Sequence, residues 1–193
     1  HAGKGFPDAV GSVEIEEKSG GSEMYMTLDS PAAILGAVQM GTLEFHIWGS
    51  RKDQLERPDR MVFDLDPDEG LGFAKVRDAA EEVRAALAEL GLPSGAMVTG
   101  GKGVHVIVPL RRTAGWETVT TFARTFASVL AERYPKRYVA TMSKAKRKDR
   151  IFIDWLRNDR GSTAISPYSL RTRSGAPVAV PVTWEELATL KSA

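Results

Sequence analysis

Two hydrophobic periods alternate along the chain. Val13 and Ile15 alternate with polar neighbours before Gly20-Gly21, and Met24 and Met26 resume the pattern after it, which predicts a hairpin. Ser30 and Pro31 open "SPAAILGAVQMG" as an N-cap and a first helical residue, so a short helix should run to Gly41. "LEFHIWGS" alternates and predicts a strand ending at Gly49, and "MVFDLD" predicts another. Phe73, Val76, Ala80, Val83, Leu87 and Leu90 then fall three or four apart, one face of a helix that Gly91 is placed to cap. "GAMVTGG" and "GVHVIVPL" predict two strands around a glycine turn. A second amphipathic helix follows, with Val119, Phe122, Phe126 and Val129 on one stripe, and then the strand "RIFIDWLRN". The tail, "VPVTWEEL", predicts a short closing helix starting near Thr183.

From residue 61 the order is strand, helix, strand, strand, helix, strand. This predicts an α+β fold, a ferredoxin-like or RNA-recognition-motif-like (RRM-like) βαββαβ sheet with both helices on one face. Residues 1–60 form an N-terminal β/α annex, 61–160 the sheet unit and 161–193 a closing segment of a single domain. The first and third strands of such a unit lie centrally. If the strand at 151–154 pairs beside that at 61–64, Asp154 approaches Asp64 and Asp66.

Composition narrows the class. The 193 residues are 42% apolar and 26% charged, enough for a folded core. There is no cysteine, hence no disulfide and no thiolate-held metal, which fits a reducing compartment. No apolar run approaches the length of a membrane span, and "HAGKGFPDAV" lacks a signal-peptide core. The chain starts without Met, so it is expected to begin inside a longer protein. Net charge is only +1, but residues 133–150 hold eight Lys or Arg and one Asp.

The chemistry begins in "MVFDLDPDEG". Residues i and i+2 of a strand share a face, so Asp64 and Asp66 point the same way. Two such carboxylates repel and are costly to desolvate, and a divalent cation between them relieves both penalties. A bare Asp-x-Asp is equally a pair of solvated acids at a strand end. A calcium loop is disfavoured, because Glu69 and Lys75 stand where it needs Gly and Glu. An aspartyl-phosphate site is disfavoured by Pro67-Asp68. Asp154 repeats the grammar of an apolar strand ending in an acid, with Arg157 nearby for a phosphate; alone it reads as a turn cap.

In "VTGGKGVHV", Gly100, Gly101 and Gly103 let backbone N–H groups approach an anion, Lys102 adds charge, and His105 follows in the strand. It is not a Walker loop, and glycine hairpins are common. His46, a lone strand histidine, is by itself more often structural. Lys144, Lys146, Arg147 and Lys148 form either a solvated loop or a surface that tracks phosphates. Arg171 and Arg173 share a face if extended, and guanidinium forks suit phosphates.

Together, "FDLDP", "TGGKGVH", "FIDWLRND" and "PYSLRTR" resemble the polymerase domain of bacterial ligase D, in the archaeo-eukaryotic primase superfamily. The superfamily signature is an Asp-x-Asp, a small residue and Gly leading to a His, then an apolar-Asp. The resemblance runs from "HAGKGFPDAVGSV" to "VPVTWEEL" and implies a primase/polymerase fold. It implies a nucleotidyltransferase that extends DNA 3′ ends in double-strand break repair by non-homologous end joining, often with ribonucleotides. By position, Asp64 and Asp66 would bind two Mn²⁺ or Mg²⁺ ions and Asp154 would complete the site. His46, Thr99, Gly100, Lys102, His105, Arg157, Arg171 and Arg173 would hold an NTP or dNTP, and Lys144, Lys146, Arg147 and Lys148 would meet DNA. Thr99 stands where many members have Ser, and the hydroxyl is kept. Implied partners are DNA ends or gapped DNA, Ku and a ligase domain of the parent protein, with no membrane and a cytoplasmic, nucleoid-associated location. Family domains usually have more chain before the position of His1, carrying base-stacking aromatics and Lys residues for a 5′-phosphate. A primase-like enzyme starting chains de novo shares the same metal site. A nucleic-acid-binding module would need strand aromatics where this chain offers acids.

Overall fold

The computed structural model describes residues 5–17 and 20–192. The chain divides into two compact units, His1–Phe45 and His46–Ala193. The reason is pairing: β3 (His46–Trp48) joins its strand partner β9 (Thr163–Ile165) in the second unit, with His46 opposite Ile165.

In the first unit, β1 (Gly11–Glu16) and β2 (Ser22–Thr27) form the expected antiparallel hairpin, Val13 opposite Tyr25. The Tyr25 hydroxyl donates to Glu17 at 2.5 Å. Helix α1 (Pro31–Gln39) starts as the sequence predicts: the Ser30 hydroxyl accepts from the Ala33 N–H at 3.2 Å, and Pro31 holds the first position, where no N–H is needed.

In the second unit, β4 (Arg60–Pro67) is followed by α2 (Phe73–Glu89), β5 (Gly95–Val98), β6 (Val104–Pro109), α3 (Trp116–Arg133), β7 (Tyr138–Val139) and β8 (Ile151–Asp154). Beyond β9, strand β10 (Val180–Val182) leads into α4 (Trp184–Thr189), which Thr183 and Glu186 close with a capping box. The main sheet runs β10-β5-β6-β4-β8-β7. Its inner four strands follow the RRM-like order, all antiparallel to their neighbours, and β7 adds one parallel edge strand.

The strand period sorts β4 onto two faces. Met61, Phe63 and Leu65 are buried under the helices with Val104, Val106 and Val108, while Val62, Asp64 and Asp66 take the opposite face. Each large apolar side chain buried this way contributes about 1.5–3 kcal/mol.

Both helices bury stripes that differ in membership from those expected. In α2, Val76, Ala79, Ala80, Val83 and Leu87 are buried, but Leu90 is 57% exposed at the helix end. There Gly91, at φ +73°, turns the chain, and the Leu92 N–H bonds back to the Leu87 carbonyl. In α3 the stripe is Trp116, Val119, Ala123, Phe126, Ala127 and Leu130. Val129 lies outside it, at 55% exposure, because alanines hold the inner positions. A tilted contact between Phe63 and Phe126, with ring centroids 4.9 Å apart, joins β4 to α3.

Candidate active site

One row across the sheet brings candidate residues together. Asp64 lies opposite His105 of β6 on one side and opposite Asp154 of β8 on the other, while Asp66 lies opposite Phe152. The three aspartates share a cleft of about 680 Å³ with Thr99, Lys102, His105, Arg157, Arg171 and Arg173.

Basic side chains surround the acids. His105 Nε2 is 3.5 Å from Asp64 Oδ1. Arg157 Nε lies 3.4 Å from Asp64 Oδ2 and 3.3 Å from Asp154 Oδ2. The other Asp154 oxygen accepts from the Leu156 N–H at 2.9 Å. Arg147 reaches Asp66 at 3.2 Å, with its guanidinium 3.9 Å over the Phe152 ring.

The environments push these carboxyls apart. Burial disfavours the charge of Asp64, but His105 and Arg157 outweigh it and hold its carboxyl below the ordinary range. Burial and the Asp64 charge raise Asp66 against the pull of Arg147, Arg157 and Lys102. Burial also raises Asp154, where the Asp64 charge adds to the effect and Arg157 opposes it. Among the described residues no group of three or more His, Cys, Asp or Glu side chains is arranged to hold a metal ion. Yet two acids held above their ordinary range beside a third charged one carry a repulsion that a hard divalent cation would relieve.

The glycine turn is shaped by close approach. A Cβ on Gly103 would lie 2.8 Å from the Leu65 carbonyl oxygen and 3.4 Å from Asp64 Oδ1. Gly100 takes φ +66° and would meet the Val178 backbone at 3.0 Å. Thr99 is buried and its hydroxyl donates to the Gly103 carbonyl at 3.0 Å, closing the turn. Arg171 donates to the Thr99 carbonyl at 3.1 Å.

Not every candidate meets the cleft. His46 is exposed at the start of β3 and does not line it, and neither does Gly100, which is buried. Of the basic run, Lys144 and Arg147 line the cleft, whereas Lys146 and Lys148 are exposed outside it. Arg147 reads from sequence as a surface cation and is instead turned inward onto Asp66. Asn158, which no sequence pattern singles out, is 2% exposed with three side-chain bonds. Its signal is a polar residue in a turn behind a four-residue strand that must flank an eight-residue one.

An acid row on the open face of a βαββαβ sheet, with a glycine turn and arginines around it, defines a primase-polymerase type of domain. The chain matches the family described as LigD, primase-polymerase domain, over residues 1–193 and belongs to it. It is 43% identical over 173 residues to the multifunctional non-homologous end joining protein LigD of Pseudomonas aeruginosa, covering 90% of this chain and 21% of that protein. LigD of Mycolicibacterium smegmatis is 36% identical over 176 residues, covering 90% and 23%. The solved polymerase domain from Mycobacterium tuberculosis ligase D in complex with DNA superposes with a TM-score of 0.90 at 31% identity, covering 99% of this chain and 70% of that one. The chain thus spans under a quarter of the length of these two curated relatives.

Proposed function

We propose that this domain is a metal-dependent nucleotidyltransferase that adds nucleotides, ribonucleotides included, to DNA 3′ ends during non-homologous end joining. One observation carries the reading: Asp154 lies opposite Asp64 across β4 and β8, with Asp66 on the same sheet face. Family membership supports it, as does the likeness to a polymerase domain solved with DNA.

The carboxylates of Asp64, Asp66 and Asp154 fit two Mn²⁺ or Mg²⁺ ions, which when bound would supply charge stabilisation to the attacking and leaving oxygens. The protein's own part is positioning and electrostatics. Lys102, Arg157, Arg171 and Arg173 ring the cleft and place positive charge where a triphosphate would lie, and Arg forks can grip it bidentately. Thr99 and Gly103 keep the turn tight enough for a phosphate to approach. His105 holds Asp64 in its charged form.

Among the described residues no helix is long and apolar enough to cross a membrane. A nucleoid-associated place in the cytoplasm, with Ku and a ligase domain as partners, follows from the end-joining role. The test is extension of a labelled primer–template by the purified chain with ribo- and deoxyribonucleoside triphosphates and Mn²⁺ or Mg²⁺. Primer extension supports the reading. Products from primer-free reactions would move it to de novo priming, and no incorporation under either metal would remove it.

A further inference from the structure

Strand β4 is eight residues long and β8 only four. Toward β6, β4 is paired from Arg60 to Leu65, but toward β8 only from Asp64 to Pro67. Among the described residues no strand continues that second edge upstream of Asp64, and buried main-chain groups there need partners.

Asn158 supplies them. Its Oδ1 accepts from the Val62 N–H at 2.7 Å, and its Nδ2 donates to the Val62 carbonyl at 2.7 Å. An opposed strand residue makes the same two-bond exchange through its backbone. The second Nδ2 hydrogen goes to the Trp155 carbonyl at 2.8 Å, so the network determines which way the amide points. From α3, the Thr120 hydroxyl donates to the Asn158 main-chain carbonyl at 2.6 Å.

The short turn from Asp154 to Asn158 is therefore clamped to β4 at both ends: Asp154 opposite Asp64, and Asn158 on Val62. Between the clamps sits Arg157, reaching Asp64 and Asp154 at 3.4 and 3.3 Å. We infer that Asn158 is a positioning residue for nucleotide addition, its carboxamide substituting for a missing strand so that Asp154 and Arg157 stay registered beside Asp64. The inference rests on the nucleotidyl-transfer reading above.

The experiment compares the wild-type chain with Asn158→Ala and Asn158→Asp, the latter keeping the shape but losing both Nδ2 donors. Two quantities are read: Mn²⁺ binding to the free protein by electron paramagnetic resonance, and kcat and KM for the nucleotide. Folded variants should bind Mn²⁺ about tenfold more weakly and lose about tenfold or more in kcat, as for outer residues that orient metal ligands. A purely structural role lowers the melting temperature alone; wild-type Mn²⁺ affinity and kcat in the folded variants overturn the inference. If neither variant folds, Thr120→Val, which only frees the Asn158 carbonyl, takes their place with a smaller change in the same direction. Wild-type values for that variant overturn the inference equally. A wild-type chain that binds Mn²⁺ but adds no nucleotide removes the polymerase reading and leaves the metal comparison to decide on Asn158. A chain that adds nucleotide without measurable Mn²⁺ binding leaves kcat to decide. If it does neither, both readings fall.

Discussion

Asp64 and Asp154 face each other across β4 and β8, with the guanidinium of Arg157 within 3.4 Å of both. Like charges directly opposite in a sheet are destabilising. The site thus holds repulsion that ordinary packing would avoid, which is a common feature of functional centres.

The first prediction follows from that repulsion. Asp154 has its carboxyl raised by burial and by the Asp64 charge, so the folded state disfavours its ionised form. Its sign is the reverse of a salt-bridged acid: this group's contribution to metal-free stability is fully present below the unfolded carboxylate value of about 3.9 and is lost as pH rises through the folded one. Asp154→Asn keeps an oxygen for the Leu156 N–H and removes the charge. It should raise the metal-free melting temperature at pH 7, by about 2–4 °C per kcal/mol relieved. It should also lower nucleotide addition about a hundredfold or more. Calorimetry beside primer extension checks both; an active, destabilised Asp154→Asn would contradict the account.

Much of this site is readable without the fold, for a definite reason. Asp64 and Asp66 sit at i and i+2 after an apolar run, and Asp154 ends another, so strand periodicity alone puts all three on one face if the strands pair. What periodicity cannot report is where a long flexible side chain turns. Arg147 lies in a basic run that looks solvated, yet Phe152 and Asp66 draw it inward. Nor can it tell that α3 packs on small residues: Val129 outranks Ala127 in apolarity, but Ala127 is buried and Val129 exposed. His46 sits in a strand pattern with no sign of which sheet it would join, and it pairs with β9, outside the cleft lining.

The glycine turn gives a second prediction. A methyl group at position 103 would meet the Leu65 carbonyl oxygen at 2.8 Å, and this neighbour is backbone that cannot rotate away. Gly103→Ala must push β6 from β4 beside Asp64, so a loss of about 1–3 kcal/mol is expected, with impaired nucleotide addition. Gly95→Ala is the control, because nothing lies within 4 Å of its added Cβ. Denaturant titration of the two variants should separate them; equal stabilities would mean the strands can part without cost.

A third prediction concerns the entry to β4. Asp59 accepts from Arg60 at 2.7 Å and from Arg51 at 2.9 Å. Burial opposes its charge, but the two guanidiniums prevail and hold its carboxyl below the ordinary range. With the folded value depressed, the contribution is present above the unfolded value of about 3.9 and is lost as pH falls through the folded one. Asp59→Asn should therefore lower the melting temperature at pH 7, and the difference from wild type should shrink toward pH 2. A gap independent of pH would assign the effect to shape rather than charge.

The basic run divides into two parts with separable effects. Lys146 and Lys148 are exposed and outside the cleft lining, while Arg147 is tied to Asp66 and to the Met142 carbonyl. If the two lysines neutralise DNA phosphates, each releases counterions, and the slope of log Kobs against log salt carries about 0.9 per contact on duplex DNA. Lys146→Ala with Lys148→Ala should therefore flatten that slope by about 2 and weaken binding without regard to sequence. Arg147→Ala should change the slope less and nucleotide addition more, because it removes a counter-charge from Asp66 rather than a solvent-facing cation. Fluorescence anisotropy with a labelled DNA duplex across a salt series, beside primer extension at fixed salt, measures the two effects separately. An unchanged slope in the double lysine variant would take Lys146 and Lys148 off the DNA surface and leave Lys144 and Arg147 as the loop's links to the site.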